Sequence, residues 1–300
     1  MSTAALKSKS RRKFKREWLT SYLFLLPALS FFIMFVAYPM VHGVYISFFD
    51  YNLTNFKFIG FDNYVTLFKD KNFHQSVINT VVLVLVAVPI VIGFSVFAAM
   101  TIYKKHELLR SLFRGIFYLP AVTSVVSVTV VWNWIYHPNF GILNYLTGLV
   151  GMKPIFWLGD PNTALMAITA ILITTSVGQP IILYVAALGN IPISYIEAAQ
   201  LDRASSRQIF TKIIWPMLMP TNLYVIVITT INTFQCFSLI QLLTSGGPIY
   251  KTSTVMYSVY EQAFSFGNFG LASAMGVFLA IIIGIISIIQ FKFLGSDVEY

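Results

Sequence analysis

A chain of 300 residues with 57% hydrophobic side chains, only 10% charged ones and a mean hydropathy of +0.75 cannot be an ordinary water-soluble domain, in which about a quarter of residues carry charge. The net charge of +9 gathers at the N-terminus and in two short loops, a placement that suits anionic headgroups and not nucleic acid. A single cysteine, Cys236, excludes an internal disulfide framework, and no Cys/His cluster has metal-ligand spacing.

In chain order, a basic tail over residues 1–19 comes first, carrying Lys7, Lys9, Arg11, Arg12, Lys13, Lys15 and Arg16. Because about 20 apolar residues cross a hydrocarbon core as a helix, six spans are expected, at roughly 20–49, 75–102, 115–136, 163–190, 214–243 and 271–291. The first apolar run is longer than that of a signal peptide and no small-residue cleavage site follows it, so it reads as a retained anchor. Lys104, Lys105, Arg110 and Arg114 fall in the second loop, Arg203, Arg207 and Lys212 in the fourth, and Lys292 after the last span. That places 15 basic residues on one side against five, Lys57, Lys69, Lys71, Lys153 and Lys251, on the other. Basic loops stay inside, so the expectation is an all-α, multi-pass membrane protein with both termini cytoplasmic. Its parts are the tail 1–19, a membrane domain 20–294 and a short tail 295–300.

Every Asp, Glu, Lys and Arg can be placed outside the apolar cores. Transporters driven by ion gradients usually hold ionisable groups inside their spans, where such groups are costly and therefore functional. Here only His42, His74 and His137 come close. Uphill transport by this chain would therefore draw its energy from elsewhere, with a secondary active transporter of small polar solutes as the rival reading. No GxxxxGK[ST] phosphate loop occurs, so hydrolysis of ATP would fall to a partner and require a docking surface on the cytoplasmic side. No paired carboxylates, Ser/His arrangement or metal cluster at one depth suggests an enzyme.

Span four carries Gln179 beside Pro180, a candidate for a solute pathway. After it the chain reads EAAQLDRASSRQIFTKIIWPMLMP over residues 197–220, a concentration of charge in an apolar protein. Pro192 suits a helix start, so Ile193 to Leu201 should form about two helical turns. Ser205 with Gln208 three residues on is a capping box for a second helix, joined to the first at Asp202 to Ala204. In that second helix Ile209, Phe210, Ile213 and Ile214 form an apolar stripe, and Pro216 and Pro220 restrict the return to span five. Small alanines beside Glu197 suit insertion into a groove on another protein; an amphipathic helix lying on the membrane is the plainer reading.

Span five offers Asn232, Gln235, Ser238 and Gln241 at a recurring spacing of three, flanked by Phe234 and Phe237. On a continuous helix these would make a polar row with aromatic faces, suited to an uncharged sugar. Interhelical hydrogen bonding would use the same residues. Span six carries Ala272, Gly276, Ala280 and Gly284 at four-residue spacing, a seam that lets another helix approach closely.

The segment from Glu197 resembles the cytoplasmic EAA loop of binding-protein-dependent ABC importer permeases, with Glu197, Ala198, Ala199, Ala204, Phe210, Ile214, Pro216 and Pro220 at matching positions. The family usually has glycine directly after the aspartate that is Asp202 here; Arg203 at that place either costs on the order of 1 kcal/mol or indicates a different turn. The resemblance covers nearly the whole chain. LLPALSFFIMFVAYPMVHGVYISFFD is similar to the first span of the carbohydrate-uptake branch, FIGFDNYVTLF to its first external loop and FSLIQLLTSGGPIYKTSTVMYSVYEQAF to the stretch after span five, with Ser238 in place of a frequent aspartate.

The resemblance implies a permease domain with a coupling loop over 191–213, in which Glu197, Ala198, Ala199, Asp202, Arg203, Ala204, Arg207 and Phe210 engage an ATPase. It implies as partners a second homologous permease subunit, two ATP-binding subunits that use ATP and Mg, and an extracellular solute-binding protein. This chain would hold no cofactor of its own. The expected role is half of a sugar pore, for oligosaccharides above all, in a bacterial plasma membrane.

Overall fold

The computed structural model describes residues 21–295, so the basic tail 1–19 and the end of the short tail 295–300 lie outside the described residues. Among the described residues, three helices are long and apolar enough to cross a bilayer unbroken: Ser21–Ile46, Lys71–Tyr103 and Phe269–Leu294. Three bent pairs of helices pass the same test of length and apolarity together, Glu107–Val122 with Val125–Ile135 at 98°, Ala164–Ser176 with Gly178–Gly189 at 40°, and Ser206–Met217 with Met219–Phe234 at 67°. Counting each pair as one span gives six, the expected number.

The sequence placed spans three, four and five as unbroken stretches, and the structure corrects each. Pro120 and the extended backbone at Thr123 and Ser124 end the first half of span three. Span four breaks at Val177, where Gly178 lies so near the Phe117 carbonyl that a Cβ would run into it. In span five Leu218 separates the halves ahead of Pro220, and the helix stops at Phe234 instead of reaching 243. One departure from all-helical structure is the antiparallel hairpin of Phe49–Tyr51 and Phe56–Phe58, turned by Asn52, whose Oδ1 accepts from Thr54 N at 3.0 Å and Asn55 N at 2.8 Å.

Three buried clusters hold the spans together. The largest joins spans two, four and five through Val91, Ala99, Ile181, Tyr184, Leu218 and Val225, all at most 1% exposed. A second ties the first halves of spans two and four to the segment after Phe234 through Leu83, Ile168, Ile171 and Ile240. The third seats Leu67, Phe73 and Phe234 against Met275 and Leu279 of span six. Several polar groups inside this apolar frame pair across the spans. Ser76 Oγ donates to Ser253 Oγ at 2.9 Å and is also 2.9 Å from Ser258 Oγ, while Asn79 Nδ2 donates to the Tyr250 and Ser253 carbonyls at 2.9 and 2.8 Å. The first helix differs. Its most apolar stretch buries nothing, and only Tyr38–Ile46 packs, against Phe269–Leu294.

Candidate functional site

The connection after span four folds as two short helices. Ile193–Leu201 follows Pro192 and closes in a paired C-terminal turn: Ala204 N donates to the Ala199 carbonyl at 2.9 Å and Arg203 N to that of Gln200 at 3.0 Å. Such a turn places its penultimate residue in the left-handed region, and Arg203 sits there at φ 59°. Of the two alternatives for Arg203, the usual turn is kept and the strain accepted. Ser205 then starts the next helix with both bonds of the capping box, Gln208 N to Ser205 Oγ at 3.3 Å and Ser205 N to Gln208 Oε1 at 2.8 Å. The helix widens to a π turn over Phe210–Ile214 before the bend into span five.

This loop has two faces. Inward, Ile196, Phe210, Ile214 and Trp215 pack at the base of the largest cluster, beside Leu188, Ile191 and Leu218, and Ile209 is buried at 8% exposure. Phe210, half-buried, also packs there, with its ring 5.8 Å from that of Trp215, and it anchors the loop to the spans. Outward, Glu197, Ala198, Asp202, Arg203 and Arg207 are exposed, while Ala199 and Ala204 are half-buried. Three apolar side chains that the motif alone did not single out share that exposure, Ile193 at 70%, Tyr195 at 55% and Leu201 at 85%. Their signal was present in the sequence as apolar residues outside the inward stripe.

The second feature is a cavity of about 300 Å³ where the breaks of spans three and four meet span five. Pro120, Thr123 and Val125 come from the 98° bend, Thr175, Ser176, Gln179 and Pro180 from the 40° bend, and Tyr224, Thr229 and Asn232 from span five. Its wall carries hydroxyls and two amides but no charge. The amides of Gln179 and Asn232 have no hydrogen-bond partner among the described residues, so both remain free for a solute. A concave site with a few polar groups on an apolar wall is the usual form of a small-molecule site.

Of the expected pathway residues, Gln179 and Asn232 are brought together here; the continuous row through Gln235, Ser238 and Gln241 is not formed. Gln235 caps the helix, with its N–H on the Ile231 carbonyl at 3.1 Å, and a new short helix starts at Ser238, so the spacing of three no longer maps to one face. Gln235 and Ser238 are exposed outside the cavity and Gln241 is half-buried. Phe234, 3% exposed, is a core residue of the third cluster, and Phe237 packs on the second with its ring 4.7 Å from that of Tyr260. The polar lining from Thr123, Thr175, Ser176 and Thr229 was missed because hydroxyls bonded back to their own helix vanish into an apolar average, as Thr175 Oγ1 does to the Leu172 carbonyl at 3.0 Å.

Residues 77–300 match the family described as binding-protein-dependent transport system inner membrane component. The chain is 34% identical, over 97% of its length and 96% of the relative's, to the probable ABC transporter permease protein YesP of Bacillus subtilis (strain 168). It is 32% identical to the multiple sugar-binding transport system permease protein MsmF of Streptococcus mutans serotype c, covering 94% and 97% of the two chains. Its fold superposes with a TM-score of 0.82 and 26% identity on a chain of a bacterial alginate ABC transporter solved in complex with an alginate pentasaccharide-bound periplasmic protein, over 94% of this chain and 95% of that one.

Proposed function

The chain belongs to the family of binding-protein-dependent transport system inner membrane components, and from that premise we propose that it forms half of a sugar-import pore, switched between inward- and outward-facing states by partner ATPases. It is a membrane-embedded permease subunit of an ABC transporter, a pore component and not an enzyme. The single observation that carries the mechanism is the two-faced loop at 191–213. One face presents Glu197, Ala198 and Leu201, and the other is locked through Phe210 and Trp215 into the core on which spans four and five pack.

A helix pair so built transmits a push. The exposed carboxylate and small side chains allow close approach by an ATP-binding subunit, where ATP and Mg are held, and the inner face carries the displacement to the helices that line the cavity. The cargo is a neutral sugar, supplied by an extracellular solute-binding protein; the uncharged, hydroxyl- and amide-lined cavity supports this. A second permease subunit closes the other half of the pore. The loop faces the cytoplasm along with both termini, a reading that the bias of basic residues supports.

Replacing Glu197 with Lys in the assembled transporter tests the coupling. The expected result is continued ATP hydrolysis with sugar uptake lowered at least tenfold in a subunit still inserted in the membrane. Unchanged uptake per ATP hydrolysed overturns the role of this loop.

A further inference from the structure

At the end of the molecule opposite the 191–213 loop, a surface helix, Ile142–Leu149, follows span three. Ile142, Tyr145, Leu146 and Leu149 recur at helical spacing along one side and are 63%, 70%, 52% and 68% exposed. The other side is fastened down. Asn144, 8% exposed, donates through Nδ2 to the carbonyls of Pro138 at 3.0 Å and Ile155 at 2.9 Å, and accepts through Oδ1 from Ile155 N at 3.1 Å and Trp157 Nε1 at 2.9 Å. Four bonds to one amide fix how the helix is rolled, and the roll turns its apolar side away from the protein.

What covers that side is indicated by its continuity and its charge. The apolar stripe continues the surface of the second half of span three, where Val126, Val130 and Trp134 repeat every four residues at 53%, 52% and 64% exposure. The rings of Trp134 and Phe140 lie 5.3 Å apart, and Phe140 leads directly into the helix. From Tyr136 to Gly159 there is no carboxylate, and the basic groups are His137 and Lys153 alone. Apolar helix faces with Trp and Tyr beside them and few charges belong at the boundary of acyl chains and headgroups.

We propose that Ile142–Leu149 is an interfacial anchor, lying in the plane of the membrane with Ile142, Tyr145, Leu146 and Leu149 sunk into the lipid of the leaflet opposite the coupling loop. It would fix the depth and tilt of the short second half of span three, and with it the cavity wall at Val125 and Val128. The lipid contact stands independently of the coupling mechanism. Only the name of the leaflet, the outer one, depends on the orientation proposed above.

The test uses the complete transporter in lipid nanodiscs on a Cys236→Ser background, with single spin labels at Ile142→Cys, Tyr145→Cys, Leu146→Cys and Leu149→Cys and at the inward position Thr147→Cys. The four outward labels should collide with oxygen several-fold more often than with a water-soluble nickel chelate, and adding the solute-binding protein should change neither. Collision with the chelate instead places the helix in water and overturns the proposal. So does shielding from both reagents, which means a protein partner covers the stripe, or shielding that appears only with the solute-binding protein. A photoactivatable phospholipid applied to the unaltered complex tests the same contact without substitution: lipid adducts on the peptide around residues 140–152 support the anchor, and their absence from that peptide overturns it.

Discussion

Arg203 shows what a single position does for the loop. At φ 59° it occupies the place where glycine costs least, and its side chain stands exposed with the backbone held by the two bonds of the turn. The left-handed conformation costs an ordinary residue about 1 kcal/mol or slightly more, while glycine loses roughly 0.5 kcal/mol by its freedom in the unfolded chain. Arg203→Gly should therefore stabilise the loop by about 0.5 kcal/mol, read as slower hydrogen exchange of the Ala204 and Arg203 amides. Arg203→Val should do the reverse, since a β-branched residue tolerates this region worst. Equal exchange in the three proteins would mean that the turn is not the constrained element.

At the scale of elements, Gly178 controls how span four meets span three. A Cβ there would strike the Phe117 carbonyl and come within 2.9 Å of Tyr118 Cα, both of them backbone and unable to swing aside. Overpacking of this kind costs typically 1–3 kcal/mol or more, so Gly178→Val should lower thermal stability and open the angle between Gly178–Gly189 and Glu107–Val122. Gly93, whose Cβ would meet nothing within 4 Å, is the control, and Gly93→Ala should be close to neutral.

These elements also mark how far the sequence could be read. The loop from Pro192 to Gln208 was legible to the residue because caps and turns are decided by neighbours a few positions apart: a proline to start, Ser205 and Gln208 to cap, and a small exposed tip between. The number of crossings was legible from hydropathy. The breaks at Val122/Val125 and Ser176/Gly178 were not, because a window about 20 residues wide averages across a two-residue bend, even though Pro120, Gly178 and Pro180 stood in the sequence as punctuation. The packing of Phe234 was not legible for a related reason: which side of span five faces the third cluster depends on partners such as Leu67 and Met275, far away in the chain.

For the whole molecule, the decisive fact is that loop and cavity share one core. Gly178–Gly189 and Met219–Phe234 both run from the 191–213 end to the cavity wall, and at 1.5 Å per residue each covers about 20 Å, enough to carry a displacement most of the way through the bilayer. They move together only while the side chains between them are packed, because close-packed interiors have discrete arrangements and do not deform smoothly. Leu218, 0% exposed, sits at the bend of span five against this cluster. Leu218→Ala leaves a void that costs about 2–5 kcal/mol, and on the coupling proposed above it loosens the joint between the loop and span five. Uptake per ATP hydrolysed should then fall several-fold, while sugar binding to the separate solute-binding protein stays the same. Tyr184→Phe supplies the comparison. Tyr184 is equally buried in the same cluster, but its hydroxyl has no hydrogen-bond partner among the described residues, so its removal leaves the packing whole and relieves an unsatisfied group. Coupling should survive that change at full strength, with stability equal or higher. If both substitutions lower coupling alike, transmission depends on something other than the packing between these two helices, and the push from the loop must reach the cavity by another route.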